Sequence, residues 1–400
     1  MDREKIVRWI DHFILLCFCV LVIFLPIAHT ESIRAFSFGI PVGLWLIKMI
    51  INRQWLFQQT PFDFPLLLFT IIASLSLTTA IDFRYSLEEL IGDWVTGVLL
   101  FYLVVNNLRE EQIKYLLVAL LLGNVIMVSY GIYEFFHRDG LLFDYQVRSS
   151  SLHSGFGTFS TYLVTVLPYF LLSFLFVRNN LKQSALLILT LLNFFALYLT
   201  HSRGAWVAAG VLLMLVGWRV LSKKTIFVFI FLVCLLLFFL VPAKILEHHT
   251  RITMNGKTPA NIETLQARWE LIKFSLGKLN ENPFQMLGFG RRSFGKKFKE
   301  FDLKYKGAQL WHAHNSFLNI TFQTGVQGLA LFCFLLYELI RYFYLYAKRE
   351  TFPLHKFFLL STFMMVITFF VRNLSDDFFV DDSALLFWLL SGVAVSFRKG

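Results

Sequence analysis

Long apolar segments, each bounded by polar or charged residues, recur along the whole chain. Most run for about 15 to 22 residues, close to the ~20 that a helix needs to cross a bilayer's hydrocarbon layer. We predict twelve membrane-spanning helices, beginning near Phe13, Ile33, Phe64, Val95, Tyr115, Phe159, Ala185, Ala205, Ile226, Phe317, Phe357 and Ala384. The fourth is short, and only a brief polar turn separates the seventh from the eighth.

The amino-acid composition also indicates a membrane protein. Of the 400 residues, 57% are hydrophobic, 16% are charged and 47 are Phe, whereas a soluble domain has about 45 to 50% apolar and about 25% charged residues. We therefore expect an all-α integral membrane protein. The net charge of +11 is attributed to topology and to membrane lipids, and no nucleic acid partner is expected.

The short loops carry Lys and Arg unequally, about three to one in favour of the side that holds the N-terminus. Because cytoplasmic loops are enriched in these residues, both termini are predicted to be cytoplasmic. We predict one integrated membrane domain in three parts: residues 1–241 with helices 1 to 9, an outer loop at 242–315, and residues 316–400 with helices 10 to 12.

The predicted outer loop holds 13 basic and six acidic residues, an excess that would attract an anionic ligand to the membrane surface. Within it, residues 261–279 predict an amphipathic helix resting on the bundle or on the lipid headgroups. Its apolar stripe is formed by Leu265, Trp269, Ile272, Leu276 and Leu279.

Two arginines are candidate anion-binding residues. Arg203 lies in the turn between the seventh and eighth helices, three residues before Trp206. An arginine this close to hydrocarbon needs a compensating partner, and its planar fork suits a phosphate; the alternative is a side chain that reaches the interface only for solvation. Arg268 lies on the amphipathic helix without an acid three or four residues away, so it is either a ligand residue or simply solvated.

Histidines precede the tenth helix. His314 is a candidate general base, because a neutral imidazole can accept a proton from a sugar hydroxyl. His312 and Asn315 are candidate supporting residues, and Gly325 and Gly328 would let neighbouring helices approach. Two alternatives remain open, a zinc site at the two histidines and a purely structural role.

Asp376 and Asp377 lie in the segment from Arg372 to Asp382, which we predict to be an outer loop between the last two helices. Paired aspartates can hold Mg²⁺ against a diphosphate. They can also orient arginines or solvate a loop, and we favour these interpretations over a metal site.

Three short motifs resemble the O-antigen ligase and polymerase superfamily of bacterial inner-membrane glycosyltransferases, and in particular its O-antigen ligases. The first runs from Ser202 to Trp206 as SRGAW. The second is the ARW of residues 267–269, followed by ENP at 281–283 and GFG at 288–290. The third is the HN of residues 314–315, with nine residues before the GVQG of residues 325–328.

The resemblance implies a GT-C-like fold in the bacterial inner membrane, with the active site facing the periplasm. It implies transfer of a preassembled polysaccharide from undecaprenyl pyrophosphate to a sugar hydroxyl of the lipid A core, in an inverting reaction without metal or other cofactor. Carried over by position, Arg203 and Arg268 would bind the pyrophosphate and His314 would be the catalytic base.

Three other functions fit the sequence less well. An O-antigen polymerase or a protein O-oligosaccharyltransferase would use the same donor with a different acceptor. A transporter of lipid-linked glycans would be expected to have charged residues near the bilayer midplane on broken, repeated helices. Here the notable charges lie on one predicted face of the membrane.

Overall fold

The computed structural model describes residues 3–142, 146–177, 179–220, 265–299 and 312–397. Within these ranges all regular secondary structure is helical. The longer helices are α1 (Arg3–Phe24), α2 (Glu31–Asn52), α3 (Asp63–Leu75), α4 (Phe83–Glu89), α5 (Thr96–Asn107), α6 (Ile113–His137), α7 (Phe156–Phe176), α8 (Asn180–Leu199), α9 (Arg203–Val220), α10 (Leu265–Glu281), α11 (Arg292–Lys297), α12 (Ser316–Arg349), α13 (Pro353–Asn373) and α14 (Asp381–Ser396). A π-helical turn, Leu90–Val95, joins α4 to α5.

Seven helical segments are long and apolar enough to cross a bilayer; they contain α1, α2, α6, α7, α8, α12 and α13. The apolar helices containing α3 and α9 are shorter. The chain is thus an α-helical membrane protein, as predicted. The count of twelve helices, the domain division and the GT-C likeness stay predictions, and the predicted helix near Ile226 lies outside the described residues, as do 242–264 and 300–311.

Aromatic side chains fill the centre of the bundle. Trp388 on α14, at 1% exposure, contacts the rings of Trp94 and Phe101 edge to face. Gly97 makes this packing possible, because a Cβ there would overlap the Trp388 indole. Other large apolar side chains, such as Phe36 and Ile50, are exposed on the outside of the helices, where lipid would cover them.

The loops at one end of the bundle are joined by backbone hydrogen bonds. Ser149 N donates to Leu199 O at 3.0 Å, Ile81 N to Leu287 O at 3.1 Å and Ser316 N to Asp376 O at 3.1 Å. We call the end that contains these loops the site end. At the other end, buried Asp11 accepts a 2.6 Å hydrogen bond from Lys48 Nζ and contacts Arg109.

Gly325 interrupts α12 with a φ of 74° and a ψ of 174°. The interruption separates Ser316–Thr324, at the site end, from the long remainder of the helix. At Gly328, a Cβ would overlap the side chain of Thr324 in the same helix. The two glycines thus accommodate the break in α12, and the backbone of Val326 beside it donates to Pro283 O at 2.9 Å.

The described part of the amphipathic helix, α10, faces the protein with a different side from the one predicted. Leu271 and Ser275 are buried, whereas Trp269 and Leu276 of the predicted stripe are 57% and 53% exposed. Trp269 and Leu276 therefore do not pack on the bundle, and contact of the stripe with the lipid headgroups, the second alternative, stays a prediction. Arg268 lies three residues before Leu271, so it shares the side that packs on the bundle.

Candidate active site

The loop between α13 and α14, residues 374–380, contacts Arg268 on α10. Arg268 Nη1 donates to Ser375 O at 2.6 Å, and its Nη2 lies 3.9 Å from Asp376 Oδ2. The side chain is only 27% exposed. Arg268 is therefore held by the loop rather than extended into solvent.

The same loop contacts His314. His314 Nδ1 lies 3.1 Å from Asp376 Oδ1, and a φ of 48° turns the chain sharply just before α12. Asn315 fixes this turn: its Oδ1 caps the helix by accepting from the backbone N–H groups of Phe317 and Leu318. Its Nδ2 donates to Leu374 O at 2.9 Å, which ties the turn to the loop.

The environment of Asp376 favours its carboxylate form. Burial alone would raise the pKa of Asp376, but the hydrogen bond with His314 and the nearby His314, His312 and Arg372 together lower it well below its usual range. An ionised carboxylate only accepts hydrogen bonds, so the contact assigns the proton of a neutral His314 to Nδ1. The Nε2 lone pair is then free to accept a proton from a substrate.

Asp377 has a different set of partners. Ser316 Oγ lies 2.5 Å from its Oδ1, and Asn319 Nδ2 donates to its Oδ2. Burial raises the pKa of Asp377, against the effect of these two hydrogen bonds. Asp376 thus contacts the histidines and Arg268, while Asp377 fixes the first turn of α12.

The turn that carries Arg203 packs on the same loop through Gly204. A Cβ on Gly204 would overlap Ser375 and would lie 3.3 Å from Arg372 Nη1, so only glycine permits this approach. Trp206 supports the turn itself, because its Nε1 donates to Leu197 O at 3.2 Å and its ring stacks on Tyr198. The structure thus brings the backbone beside Arg203 to the loop that Arg268 and His314 contact.

Arg372 is a further cation at this junction, which sequence reasoning treated only as the start of the aspartate loop. It is 2% exposed, its Nη1 donates to Ser375 Oγ at 2.9 Å, and its guanidinium lies 4.4 Å from the centre of the Phe378 ring. It therefore links Ser375 to the end of α13. An arginine inside an apolar helix is costly, and this is the signal that could have identified it.

The ligand atoms of His312, His314 and Asp376 lie within 4.8 Å of one another, close enough to hold a metal ion. However, the backbone N–H of His314 donates to His312 Nδ1 at 3.1 Å. Burial and the neighbouring His314 lower the pKa of His312 to about 3, so the ring is neutral and carries its proton on Nε2, which faces Asp376. A metal bound at this nitrogen would require the proton to move to Nδ1, against the backbone N–H of His314, and this disfavours a zinc site here.

We expect a chelator to leave activity unchanged. Purified protein would be dialysed against EDTA and assayed for glycan transfer with and without added Mg²⁺ or Zn²⁺. The tautomer of His312 predicts the same rate in all samples. Inhibition that is reversed by one of the ions would make these three residues a metal site.

Two comparisons with known proteins bear on this arrangement. The model of the O-antigen ligase family matches residues 185–333. An O-antigen ligase of Salmonella typhimurium (strain LT2) is 24% identical over 327 residues, which cover 74% of this chain and 76% of that protein. The chain is thus similar to O-antigen ligases over much of its length. The family's matched segment contains Arg203, Arg268 and His314 and ends before Asp376.

Proposed function

We propose that this protein is an O-antigen ligase. It transfers a preassembled polysaccharide from undecaprenyl pyrophosphate to a sugar hydroxyl of the lipid A core, at the outer face of the bacterial inner membrane. Both termini are cytoplasmic, and the site end faces the periplasm, in agreement with the excess of Lys and Arg on the opposite side.

One observation carries the proposal: Asp376 contacts both His314 and Arg268, with a 3.1 Å hydrogen bond to the imidazole and a 3.9 Å approach to the guanidinium. A proton acceptor and an anion-binding group therefore lie on either side of one carboxylate. Glycosyl transfer from a lipid pyrophosphate needs this pair, because one group activates the attacking hydroxyl and the other stabilises the leaving phosphate.

The arginines act on the leaving group. When the bond between the sugar C1 and the pyrophosphate oxygen breaks, the electron pair stays on that oxygen and undecaprenyl pyrophosphate departs as an anion. Arg203 and Arg268 stabilise the growing charge in a site with little water, where removing one well-placed donor typically costs about 3 to 4 kcal/mol. Arg372 and Asp376 hold Ser375 and Arg268 in position.

The histidine acts on the nucleophile. The acceptor hydroxyl attacks C1 from the face opposite the pyrophosphate, which inverts the anomeric centre. Its proton passes to His314 Nε2, while Asp376 accepts the Nδ1–H and stabilises the imidazolium that forms. This positioning of an imidazole by a carboxylate is the arrangement of many hydrolases. His312 and Asn315 fix the backbone on either side of the base.

Arg203→Lys is expected to lower kcat/KM by about 10²-fold, because an ammonium keeps the charge but cannot form two parallel hydrogen bonds with a phosphate. Steady-state transfer assays would measure this. Arg138→Lys is the matched control, since Arg138 at the end of α6 is exposed and pairs with Glu134 within the helix. Wild-type activity of the Arg203→Lys variant would mean that Arg203 reaches the interface only for solvation.

The acceptor decides between the ligase and its rivals. Purified protein would receive lipid-linked glycan together with core lipopolysaccharide, a second lipid-linked glycan or a protein acceptor. The ligase assignment predicts a new glycosidic bond with core lipopolysaccharide. Product with only the second lipid-linked glycan would make the protein a polymerase, product with only protein would make it an oligosaccharyltransferase, and glycan movement without a new bond would make it a transporter.

A further inference from the structure

A small cavity lies beside the candidate active site. It is lined by residues of the π-turn before α5, of segment 289–291, of α12 and of the loop before α14. Its volume of about 30 Å³ is room for one or two groups the size of a water molecule. Asp377 belongs to its lining and also contacts Ser316, two residues after His314, so the cavity and the candidate active site share a wall.

Gln323 lines this cavity with a side chain that needs a partner. The residue is 6% exposed, and within the described part of the chain its amide makes no hydrogen bond. The amide has an acceptor oxygen and two donor hydrogens, and all three can form hydrogen bonds with a group in the cavity. A hydroxyl group in the cavity can both donate to the oxygen and accept from the nitrogen.

The charges around the cavity disfavour a phosphate. Asp93 and Asp377 line it together with Arg291, and Arg291 Nη2 lies 3.7 Å from Asp381 Oδ2. The backbone N–H of Asp381 in turn donates to Asp93 Oδ1 at 2.8 Å. The guanidinium in the cavity lining is thus already paired with a carboxyl group, and the other titratable lining residues are acids, whereas the loop at Ser375 has the arginines Arg268 and Arg372 as neighbours. The loop is therefore the more favourable position for a phosphate.

The remaining walls are aromatic and aliphatic. Phe289, Phe332, Phe379 and Trp388 are among the lining residues, and such surfaces favour C–H groups over strongly hydrated ions. A sugar hydroxymethyl or ring hydroxyl offers both a hydrogen-bonding oxygen and a C–H surface. It is also small enough for the volume and carries no charge.

We propose that this cavity binds an uncharged hydroxyl or hydroxymethyl group of a sugar that reacts at His314. The inference rests on the proposed glycosyl transfer. It adds a binding position for a sugar substrate, separate from the cationic binding position of the pyrophosphate. The sugar belongs either to the acceptor or to the first residue of the donor glycan, and the two sources are distinguished by which KM depends on Gln323.

The test is Gln323→Leu, which keeps the approximate size of the side chain and removes its hydrogen bonds. The KM values for core lipopolysaccharide and for lipid-linked glycan would be measured with purified protein in detergent. Loss of one or two hydrogen bonds predicts an increase of about 5- to 30-fold in one of the two. An increase for core lipopolysaccharide assigns the cavity to the acceptor, and an increase for the glycan donor assigns it to the donor.

Two further measurements separate binding from folding. Gln327→Leu, beyond the break in α12 at Gly325 and outside the cavity lining, is the matched control and should keep both KM values. Binding of undecaprenyl pyrophosphate without sugar should be the same in Gln323→Leu and wild type. Should Gln323→Leu fail to fold, Gln323→Met replaces it with the same expectation, because it keeps an unbranched side chain of similar length and removes the amide.

Unchanged KM values in a folded Gln323→Leu variant would overturn the inference, and so would an equal loss of sugar-free undecaprenyl pyrophosphate binding. Wild-type protein that fails to transfer glycan to core lipopolysaccharide would reject the proposed function instead. In that case, direct binding of core lipopolysaccharide and of lipid-linked glycan to wild type and Gln323→Leu still tests the cavity, and weaker binding of one of them by the variant is the expected result.

Discussion

His314→Ala should reduce glycan transfer by about 10² to 10⁴-fold, the range that a well-placed general base contributes. Donor binding should stay within about threefold of wild type, because the imidazole is assigned to the acceptor hydroxyl and the arginines to the pyrophosphate. Single-turnover transfer assays and titration with undecaprenyl pyrophosphate would measure the two quantities separately.

A second variant is needed because the backbone conformation of His314 is unfavourable for alanine. Its φ of 48° is in the left-handed region, which asparagine tolerates better than alanine, so His314→Asn removes the imidazole without straining the turn and should lose the same activity. His137→Ala, at an exposed position on α6, is the control. Near-normal turnover of His314→Asn would remove His314 as the base.

Asp376→Asn should lower kcat by about 10²-fold or more. The amide is nearly the same size as the carboxylate but has no charge, so it neither stabilises the imidazolium nor fixes the Nδ1–H tautomer, on which a histidine base positioned by a carboxylate depends. Steady-state kinetics at saturating acceptor would give kcat, and the KM for acceptor should change by less than about threefold.

Asp139→Asn provides the comparison for this variant, because Asp139 is exposed and its positive φ of 53° suits asparagine equally well. A structural role for Asp376 would appear as reduced thermal stability with kcat preserved in the folded fraction. That result would remove the carboxylate from the mechanism.

Much of the helical architecture followed from the sequence, because the length of an apolar segment and the cost of charge in hydrocarbon are strong local constraints. The cost of charge in hydrocarbon singled out Arg203. Arg268, His314 and the aspartate loop were singled out by the chemistry of their side chains. The comparisons support the family that the motifs indicated, while the roles of these residues stay predictions.

The contacts that join these residues could not be predicted. The sequence could not tell which side of α10 packs on the bundle, because Trp269 and Leu271 are both apolar and only tertiary packing decides which of them faces the protein. Arg372 was read as part of a loop because its charge lies at the end of an apolar helix. Nothing in the sequence around Gln323 indicates a binding site, because only the structure shows that its side chain lines a cavity.

The central claim is that one lipid-linked diphosphate sugar is bound by side chains from three separate segments of the chain. An experimental structure of the protein in a lipid environment with undecaprenyl-pyrophosphate-linked glycan would test it most directly. We predict the diphosphate between Arg203 and Arg268, with C1 of the first sugar directed toward the space next to His314 Nε2. A diphosphate bound elsewhere, or Arg203 and His314 on opposite sides of the bilayer, would contradict the account.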